Sequence, residues 1–307
     1  MMDLLLLSAG WGTRLRPLTF YRPKALIPVR GKPCLETCYD ALNEVFTIGS
    51  IWVNTHALSP WFFRFFEKSP FRNWRLLYEP EILGSGGTVM HCMNSSKARW
   101  LMVVNSDTFL PSQKIEWLSG LEPEPGAVVI VVSSKSGLNN VVVNNEGRVI
   151  RFRSKELTSR EQDLGYRLVA FAGIHLLDKK AAESISWCGD YADIINLYAP
   201  LLKQGRIRAV ECPPSAWHDI GNIRRYFDAH TSEGARSFWA GSQVVIEPGC
   251  SVEKVILWDG VVVRTGSRLR SCIVTDGVEV SGVFESAVIT PSAVIPIGRG
   301  EFCRYLP

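Results

Sequence analysis

An apolar run, Leu4–Leu7, leads directly into Ser8-Ala9-Gly10-Trp11-Gly12-Thr13-Arg14-Leu15. Residues this small after a strand let backbone N–H groups approach phosphate oxygens, and a helix starting there would add its positive dipole end. Leu7, Ser8, Ala9, Gly10, Gly12 and Thr13 are the candidates for such contacts. Between Leu4 and Leu35 the chain carries Arg14, Arg16, Arg22, Lys24, Arg30 and Lys32 and no acidic residue. A solvated basic surface explains that run, and so does a positive wall facing a polyanionic small molecule. Two phosphate motifs are excluded. No GxxxxGK[ST] occurs anywhere, so the turn is not a P-loop. The third glycine of a dinucleotide fingerprint is replaced by Leu15.

The residues that follow narrow the reading. Thr13-Arg14-Leu15-Arg16-Pro17-Leu18-Thr19 and Arg22-Pro23-Lys24-Ala25-Leu26-Ile27-Pro28-Val29-Arg30-Gly31-Lys32-Pro33 resemble the signature of the sugar-1-phosphate nucleotidyltransferases, the NDP-sugar pyrophosphorylases. The pattern is roughly G-x-G-T-R-L-x-P-L-T-x-x-x-P-K-x-L-x-P-V-x-G-K-P, here with Ala9 where a glycine is common. In that family a sugar-1-phosphate oxygen attacks the α-phosphorus of a nucleoside triphosphate and pyrophosphate leaves. Two polyanions must meet, so positioning and cationic clamping supply most of the catalysis. The resemblance implies that Arg14 holds the β,γ-phosphates and stabilises departing pyrophosphate. It implies that Lys24 neutralises the attacked α-phosphate and the incoming sugar phosphate.

Three further segments extend the likeness. The run Trp100–Val104 ends in Asn105-Ser106-Asp107-Thr108, similar to the family's N-G-D-T, whose aspartate holds Mg²⁺. Trp217-His218-Asp219-Ile220-Gly221 resembles W-x-D-I-G-T-P, with Asn222 and Ile223 in place of Thr-Pro, which makes Asp219 the second metal carboxylate. Two carboxylates and phosphate oxygens suit Mg²⁺, a hard ion that keeps waters. His218 is read as a packing or hydrogen-bonding residue rather than a general base, because the attacking phosphate is already an anion. Tyr78-Glu79-Pro80-Glu81-Ile82-Leu83-Gly84-Ser85-Gly86-Gly87-Thr88 resembles the base- and ribose-contacting loop E-x-P-L-G-T-[AG]-G, with the amides of Gly84, Gly86 and Gly87 reading a base edge. On the sugar side the match implies Asn140, Lys155 and Gly173 as substrate contacts. Ser154 stands where a sugar-binding glutamate is common, and Phe171 where many members have asparagine.

These residues need a scaffold. Short apolar runs at Leu4–Leu7, Ile51–Asn54, Leu101–Asn105, Val128–Ser133 and Gly173–Leu177 alternate with amphipathic stretches such as Pro33–Phe46 and Trp61–Lys68. That alternation predicts an α/β, Rossmann-like, mostly parallel sheet with helices on both faces and ligands at the carboxyl ends of its strands. After about Ser237 the helical period disappears. Trp258-Asp259-Gly260-Val261-Val262-Val263 recurs seventeen residues later as Thr275-Asp276-Gly277-Val278-Glu279-Val280. Ile246, Val252, Leu257, Val263, Leu269, Val274 and Val280 follow at intervals of six, five, six, six, five and six. Three short strands per turn predict a hexapeptide-repeat β-helix, short and left-handed. The expected division is a catalytic domain over 1–235 and the β-helix over 236–307. Mannose-1-phosphate guanylyltransferases and several relatives share this layout. The coil is expected to serve oligomerisation or regulation, so that its removal would alter assembly or stability more than chemistry.

Composition closes off other classes. A net charge of +4 is too small and diffuse for nucleic-acid binding. The longest apolar run, Ala127–Val132, is far short of a membrane span. Met1–Leu7 lacks the basic flank of a signal peptide. Eight cysteines without a CxxC pair indicate reduced thiols and a cytoplasmic protein rather than a disulfide frame or zinc site. The resulting expectation is a Mg²⁺-dependent homo-oligomeric enzyme using an NTP and a sugar-1-phosphate, with GTP and mannose-1-phosphate or a similar sugar favoured. A uridylyltransferase for an amino-sugar or N-acetylmuramate 1-phosphate is the alternative. A non-catalytic regulatory paralogue is the other, although it would have no need to keep Arg14, Lys24, Asp107 and Asp219 together. Acyl transfer by the coil is set aside, because the last histidine, His230, precedes the repeats.

Overall fold

The computed structural model of the chain describes residues 2–56, 59–69, 73–111, 114–135, 137–189, 191–231 and 238–297. Two compact units emerge, one formed by Met1–Gly10 and Cys38–Trp217, the other by Trp11–Thr37 and His218–Pro307.

The first unit is built on a nine-stranded sheet. Its strands are β1 (Met2–Leu7), β2 (Ile48–Thr55), β3 (Trp74–Tyr78), β4 (Trp100–Asn105), β5 (Val128–Ser133), β6 (Val141–Val143), β7 (Val149–Phe152), β8 (Arg167–Asp178) and β9 (Ile207–Glu211). The order β7-β6-β8-β4-β1-β2-β3 runs across it, with β5 pairing both β8 and β9. The stretch β4-β1-β2-β3 is parallel, as is β5 with β9. The expected α/β sheet is therefore present. Its departure is β8, which runs antiparallel to β4, β5 and β6. Successive residues Leu4, Leu5 and Leu6 are fully buried, so both faces of the sheet are covered, which is why these strands read as continuous apolar runs. The amphipathic stretches become α1 (Cys34–Asn43) and α2 (Ser59–Lys68). A third helix, α3, covers Gly84–Ser95. Asp3 inside β1 is buried and satisfied by Ser50 N–H, Trp52 Nε1–H and Ser96 Oγ–H.

In the second unit, the segment after Gly10 does not enter an α-helix. It forms three single 3₁₀ turns, Thr13–Leu15, Leu18–Phe20 and Lys24–Leu26, then a two-rung ladder of Pro28–Val29 with Lys32–Pro33. The expected helix dipole at the start of the signature is therefore absent; three-residue turns align too few peptide units to build one. Helix α4 (Ile223–Thr231) follows in the same unit, and beyond it the coil begins at the strand Phe238–Ala240. The 235/236 boundary expected from the repeats falls between these two elements, whereas compactness groups Trp11–Thr37 with the residues from His218 on.

The coil is three parallel ladders. One joins Val245–Ile246, Val262–Val263 and Glu279–Val280; a second joins Ser251–Glu253, Arg268–Arg270 and Val283–Glu285. The third joins Phe238–Ala240, Val255–Leu257, Ile273–Val274 and Ala287–Ile289, and Val294–Pro296 closes it antiparallel. Val245 pairs Val262 and Val262 pairs Glu279, a step of seventeen residues that matches the sequence repeat. Leu257, Val263, Leu269, Val274 and Val280 are buried inside, with Ile246 and Val252 packed against them. The seven described cysteines are free, and burial pushes the Cys38 thiol up to about 12.

Candidate active site

In the first unit the register of β1 with β4 pairs Leu7 with Asn105, and the Ser106 amide donates to Leu7 O at 3.1 Å. Ser8 and Ala9 on one strand end and Asp107 on the next therefore leave the sheet side by side at its carboxyl edge, where open α/β sheets bind ligands. Ser8 and Ala9 are buried, Asp107 is partly buried and Gly10 is exposed. A polar network not anticipated from the sequence fixes this edge. Asn54 Oδ1 accepts the Ser8 amide at 2.6 Å, and Asn54 Nδ2 donates to Glu79 Oε1 at 2.9 Å. Glu79 also accepts from Thr88 Oγ1 at 2.6 Å and from the Leu83 amide at 3.2 Å. All three side chains are at most 4% exposed. A buried carboxylate with three donors is fully compensated, so the ends of β1, β2 and β3 and the start of α3 are tied into one frame. The only sequence signal was the resemblance of the 78–88 segment, which pointed to its glycines rather than to Glu79.

Those glycines have another job. Gly84, Gly86 and Gly87 lie in the first turns of α3, not in a loop. The amides of Gly86 and Gly87 both donate to Ala192 O, at 2.8 and 3.2 Å. Both amides are thus engaged within the chain, at a helix start rather than in the expected loop. A Cβ on Gly84, whose φ is +73°, would stand 2.5 Å from Ala192 O, and one on Gly86 would stand 3.0 Å from it. These positions are glycine because the 191–193 segment packs directly on the helix start.

On the sugar side Asn140 ties three strands together. Its amide donates to Val169 O, its carbonyl accepts the Ser154 amide at 3.0 Å, and its Oδ1 accepts the Phe171 amide at 3.1 Å. Asn140, the Ser154-Lys155 pair and Phe171 are thereby gathered, and Lys155 is exposed. Gly173 sits where the register of β8 against β5 shifts. Its φ is +73°, and a Cβ there would meet the Asn105 side chain at 2.8 Å. Bulges of this kind re-aim neighbouring side chains, and here Asn105 fills the space.

The second unit carries the remaining signature residues. Gly12 has φ +61°, and a Cβ would lie 2.7 Å from Thr19 Cγ2 and 3.3 Å from Lys24 Cβ. Thr19 Oγ1 donates to Gly12 O at 3.0 Å, closing the loop on itself. Thr13 and Arg14 are exposed and Lys24 is half-buried. Asp219 accepts the Gly221 amide on Oδ1 at 2.6 Å and Arg225 Nη1–H on Oδ2 at 2.7 Å. Arg225 was not singled out by sequence reasoning. Each Asp219 oxygen keeps a second lone pair, so the carboxylate can still ligate a hard cation. Among the described residues no group of three or more His, Cys, Asp or Glu side chains could hold a metal. Leu7, Ser8, Ala9, Gly10, Gly84, Gly86, Gly87, Asp107, Asn140, Lys155 and Gly173 thus belong to the first unit, and Gly12, Thr13, Arg14, Lys24 and Asp219 to the second. Among the described residues no helix is long and apolar enough to cross a membrane.

Comparison with known proteins bears on the same residues. A nucleotidyl transferase family model matches residues 4–235. The bifunctional protein GlmU of Methanocaldococcus jannaschii is 26% identical over 225 residues, 72% of this chain and 51% of that protein. This chain thus spans about half the length of the first curated relatives it matches. Mannose-1-phosphate guanylyltransferase 1 of Arabidopsis thaliana is 26% identical over 307 residues, covering 91% of this chain and 82% of that one. The crystal structure of HddC from Yersinia pseudotuberculosis aligns with a TM-score of 0.60 at 20% identity, over 76% of this chain and 99% of that one. The inositol-1-phosphate CTP transferase from T. maritima aligns with a TM-score of 0.60 at 16% identity, over 77% and 98%. At these identities the two structures speak to the fold alone, and they share it. Since the family model covers most of the chain, from β1 through α4, this protein is a member of the nucleotidyl transferase family.

Proposed function

We propose that the chain is a Mg²⁺-dependent nucleotidyltransferase that makes an NDP-sugar and pyrophosphate from a nucleoside triphosphate and a sugar-1-phosphate, with GTP and mannose-1-phosphate or a similar sugar as the pair. The observation that carries this reading is the signature segment itself, leaving β1 beside the Asp107 strand end. In this reading Arg14 and Lys24 are the catalytic cations. Arg14 holds the β,γ-phosphates and stabilises pyrophosphate as charge builds on it. Lys24 neutralises the attacked α-phosphate and lets the sugar phosphate, an anion that needs no base, come within bonding distance. Asp107 and Asp219 hold the metal, which when bound offsets phosphate charge and orients the triphosphate. Ser8, Ala9, Gly10, Gly12 and Thr13 line the triphosphate, while Asn140, Lys155 and Gly173 face the sugar phosphate. The GTP–mannose pairing draws support from the likeness to the Arabidopsis guanylyltransferase over 91% of this chain and 82% of that one. The catalytic domain is taken as 1–235 and the coil as 236–307, serving a cytoplasmic homo-oligomer.

The test is a pyrophosphate-release assay crossing the common nucleoside triphosphates with a panel of sugar-1-phosphates, with and without Mg²⁺. Metal-dependent release with GTP and a hexose 1-phosphate supports the reading. Release with UTP and an amino-sugar or N-acetylmuramate 1-phosphate replaces the substrate pair. No release with any pair supports the regulatory paralogue.

A further inference from the structure

One cation of the signature is clamped by carboxylates. Arg22 is 12% exposed and is held by two carboxylates of the coil. Its Nε and Nη2 donate to Asp276 Oδ2 and Oδ1, both at 2.6 Å, and Nη2 donates again to Asp259 Oδ2 at 2.5 Å. Asp259 and Asp276 are the same position in successive repeats, the aspartate of Trp258-Asp259-Gly260 and of Thr275-Asp276-Gly277. The guanidinium also lies 5.4 Å from the Trp258 ring. Asp276 Oδ1 accepts the Asp259 amide, and Asp259 Oδ1 accepts the Ser242 amide, so both carboxylates are themselves oriented by the coil backbone. A bidentate fork of this kind fixes direction as well as distance.

Two more ties reach the same loop. Trp258 Nε1–H donates to Tyr226 Oη at 3.0 Å, and Tyr226 Oη–H donates to Pro28 O at 2.7 Å. His230 Nε2 accepts the Arg30 amide at 3.0 Å, while Trp239 Nε1–H donates to His230 O. Anchors at 22, 28 and 30 therefore bracket Lys24. Between Arg22 and Lys24 stands only Pro23, with φ −53°, whose ring removes one rotational freedom from the link. On the far side the 3₁₀ turn closes through Leu26 N–H to Pro23 O at 2.8 Å.

We infer that Arg22, Asp259 and Asp276 are positioning residues for Lys24, and that the coil is thereby part of the catalytic apparatus rather than an assembly module alone. The inference rests on the role given to Lys24 above, and the experiment separates the two. In the full-length protein, Asp259→Asn/Asp276→Asn removes both counter-charges, and Arg22→Lys keeps the charge while losing the fork. Backbone hydrogen exchange is read at Leu26 and Ile27, with Leu5 and Val103 of the central sheet as internal reference, and pyrophosphate release gives kcat and KM. The double variant should exchange at least about tenfold faster at Leu26 and Ile27, with the sheet unchanged. It should lose at least about tenfold in kcat with KM for the nucleotide within about threefold, and Arg22→Lys should fall between. Unchanged exchange at Leu26 and Ile27 overturns the clamp whatever the activity. Faster exchange at full kcat overturns the positioning role. A wild type inert with every substrate pair fails the proposed function instead, and exchange still judges the clamp. If the double variant does not fold, Asp259→Asn alone, at a half-exposed site, carries the same comparison.

Discussion

The geometry around Gly12 allows a worked prediction. Gly12→Ala places a methyl 2.7 Å from Thr19 Cγ2 and 3.3 Å from Lys24 Cβ, at a backbone φ of +61°. The left-handed conformation costs an alanine about 1 kcal/mol. Relief of the clash would require Thr19 to rotate. Thr19 is only 7% exposed, and its hydroxyl is tied to Gly12 O, so rotation would forfeit a hydrogen bond of about 1 kcal/mol. Overpacking of this type costs about 1–3 kcal/mol, so the substitution should destabilise by roughly 2–4 kcal/mol in total. At about 2–4 °C per kcal/mol the melting temperature should fall by roughly 4–16 °C, and kcat should fall as Lys24 is displaced. Gly10→Ala is the control. Nothing lies within 4 Å of its Cβ, so stability should hold within about 0.5 kcal/mol while nucleotide affinity drops, if phosphate approaches the backbone there.

Thr19→Ser dissects the mechanism. It deletes the clashing methyl and keeps the hydroxyl bond to Gly12 O. In the Gly12→Ala/Thr19→Ser double variant the steric part should return and the φ penalty should remain, giving a coupling of about 1–2 kcal/mol in a thermodynamic cycle read by denaturant unfolding. Additive losses would refute the clash as the cause. A Gly10→Ala variant as unstable as Gly12→Ala would refute the whole distinction between the two glycines.

Other consequences are as direct. Asp107→Asn should leave the melting temperature within a few degrees and lower kcat by about 10³ or more, the scale of losing one charge-stabilising group; full turnover would remove Asp107 from the metal site. Glu79→Gln keeps one acceptor oxygen, so its NH2 must face either the Leu83 amide or the Asn54 and Thr88 donors; it should cost about 1–3 kcal/mol and raise the KM for nucleotide through the Ser8 edge. Burial holds His230 down at about 4, with Arg30 adding to the depression and its bonds to Tyr226 and Pro28 opposing it. The unfolded chain takes up that proton near pH 6.5 and the folded chain does not. His230 therefore contributes stability fully above pH 6.5, and the contribution is lost as pH falls from there toward 4. His230→Gln should flatten the pH dependence of the melting temperature across that window.

The legible parts of this chain were those in which local pattern and tertiary role coincide. Val128–Ser133 reads as a strand because all six residues are buried, and the coil reads as a coil because its first turns stack at a constant step of seventeen residues. The frame around Ser8 was not legible. Asn54, Glu79 and Thr88 are remote in sequence, and no period links a carboxylate to its donors. The start of α3 misled for a related reason. Gly84-Ser85-Gly86-Gly87 has poor helix propensity, with each glycine costing about 1 kcal/mol. The helix starts there because Ala192 O takes the amides of Gly86 and Gly87 and leaves no room for a Cβ at Gly84 or Gly86.

The basic run shows how charge in a sequence divides once it folds. Arg16, Arg22 and Arg30 do not contribute equally to any positive wall. Arg22 faces two carboxylates, so that cluster as a whole is negative rather than positive. Desolvation pushes Asp276 up against the pull of Arg22. For Asp259 desolvation also pushes upward, but Arg22 and the Ser242 amide outweigh it and hold the group below its usual range. Arg30 lies 5.6 Å from the Trp239 ring and donates to Ala229 O, and Arg16 lies over Phe20. Arg14 remains exposed and Lys24 half-buried, the two cations assigned to phosphate chemistry. A uniform basic surface would lose affinity for a polyanion by similar steps at each substitution. The observed division predicts otherwise: Arg14→Ala and Lys24→Ala should each collapse turnover with little loss of stability. Arg22→Ala should lower stability by about 1–3 kcal/mol, because it leaves two partly exposed carboxylates without their cation. Equal effects of all three on activity, with none on stability, would return the run to a solvated surface.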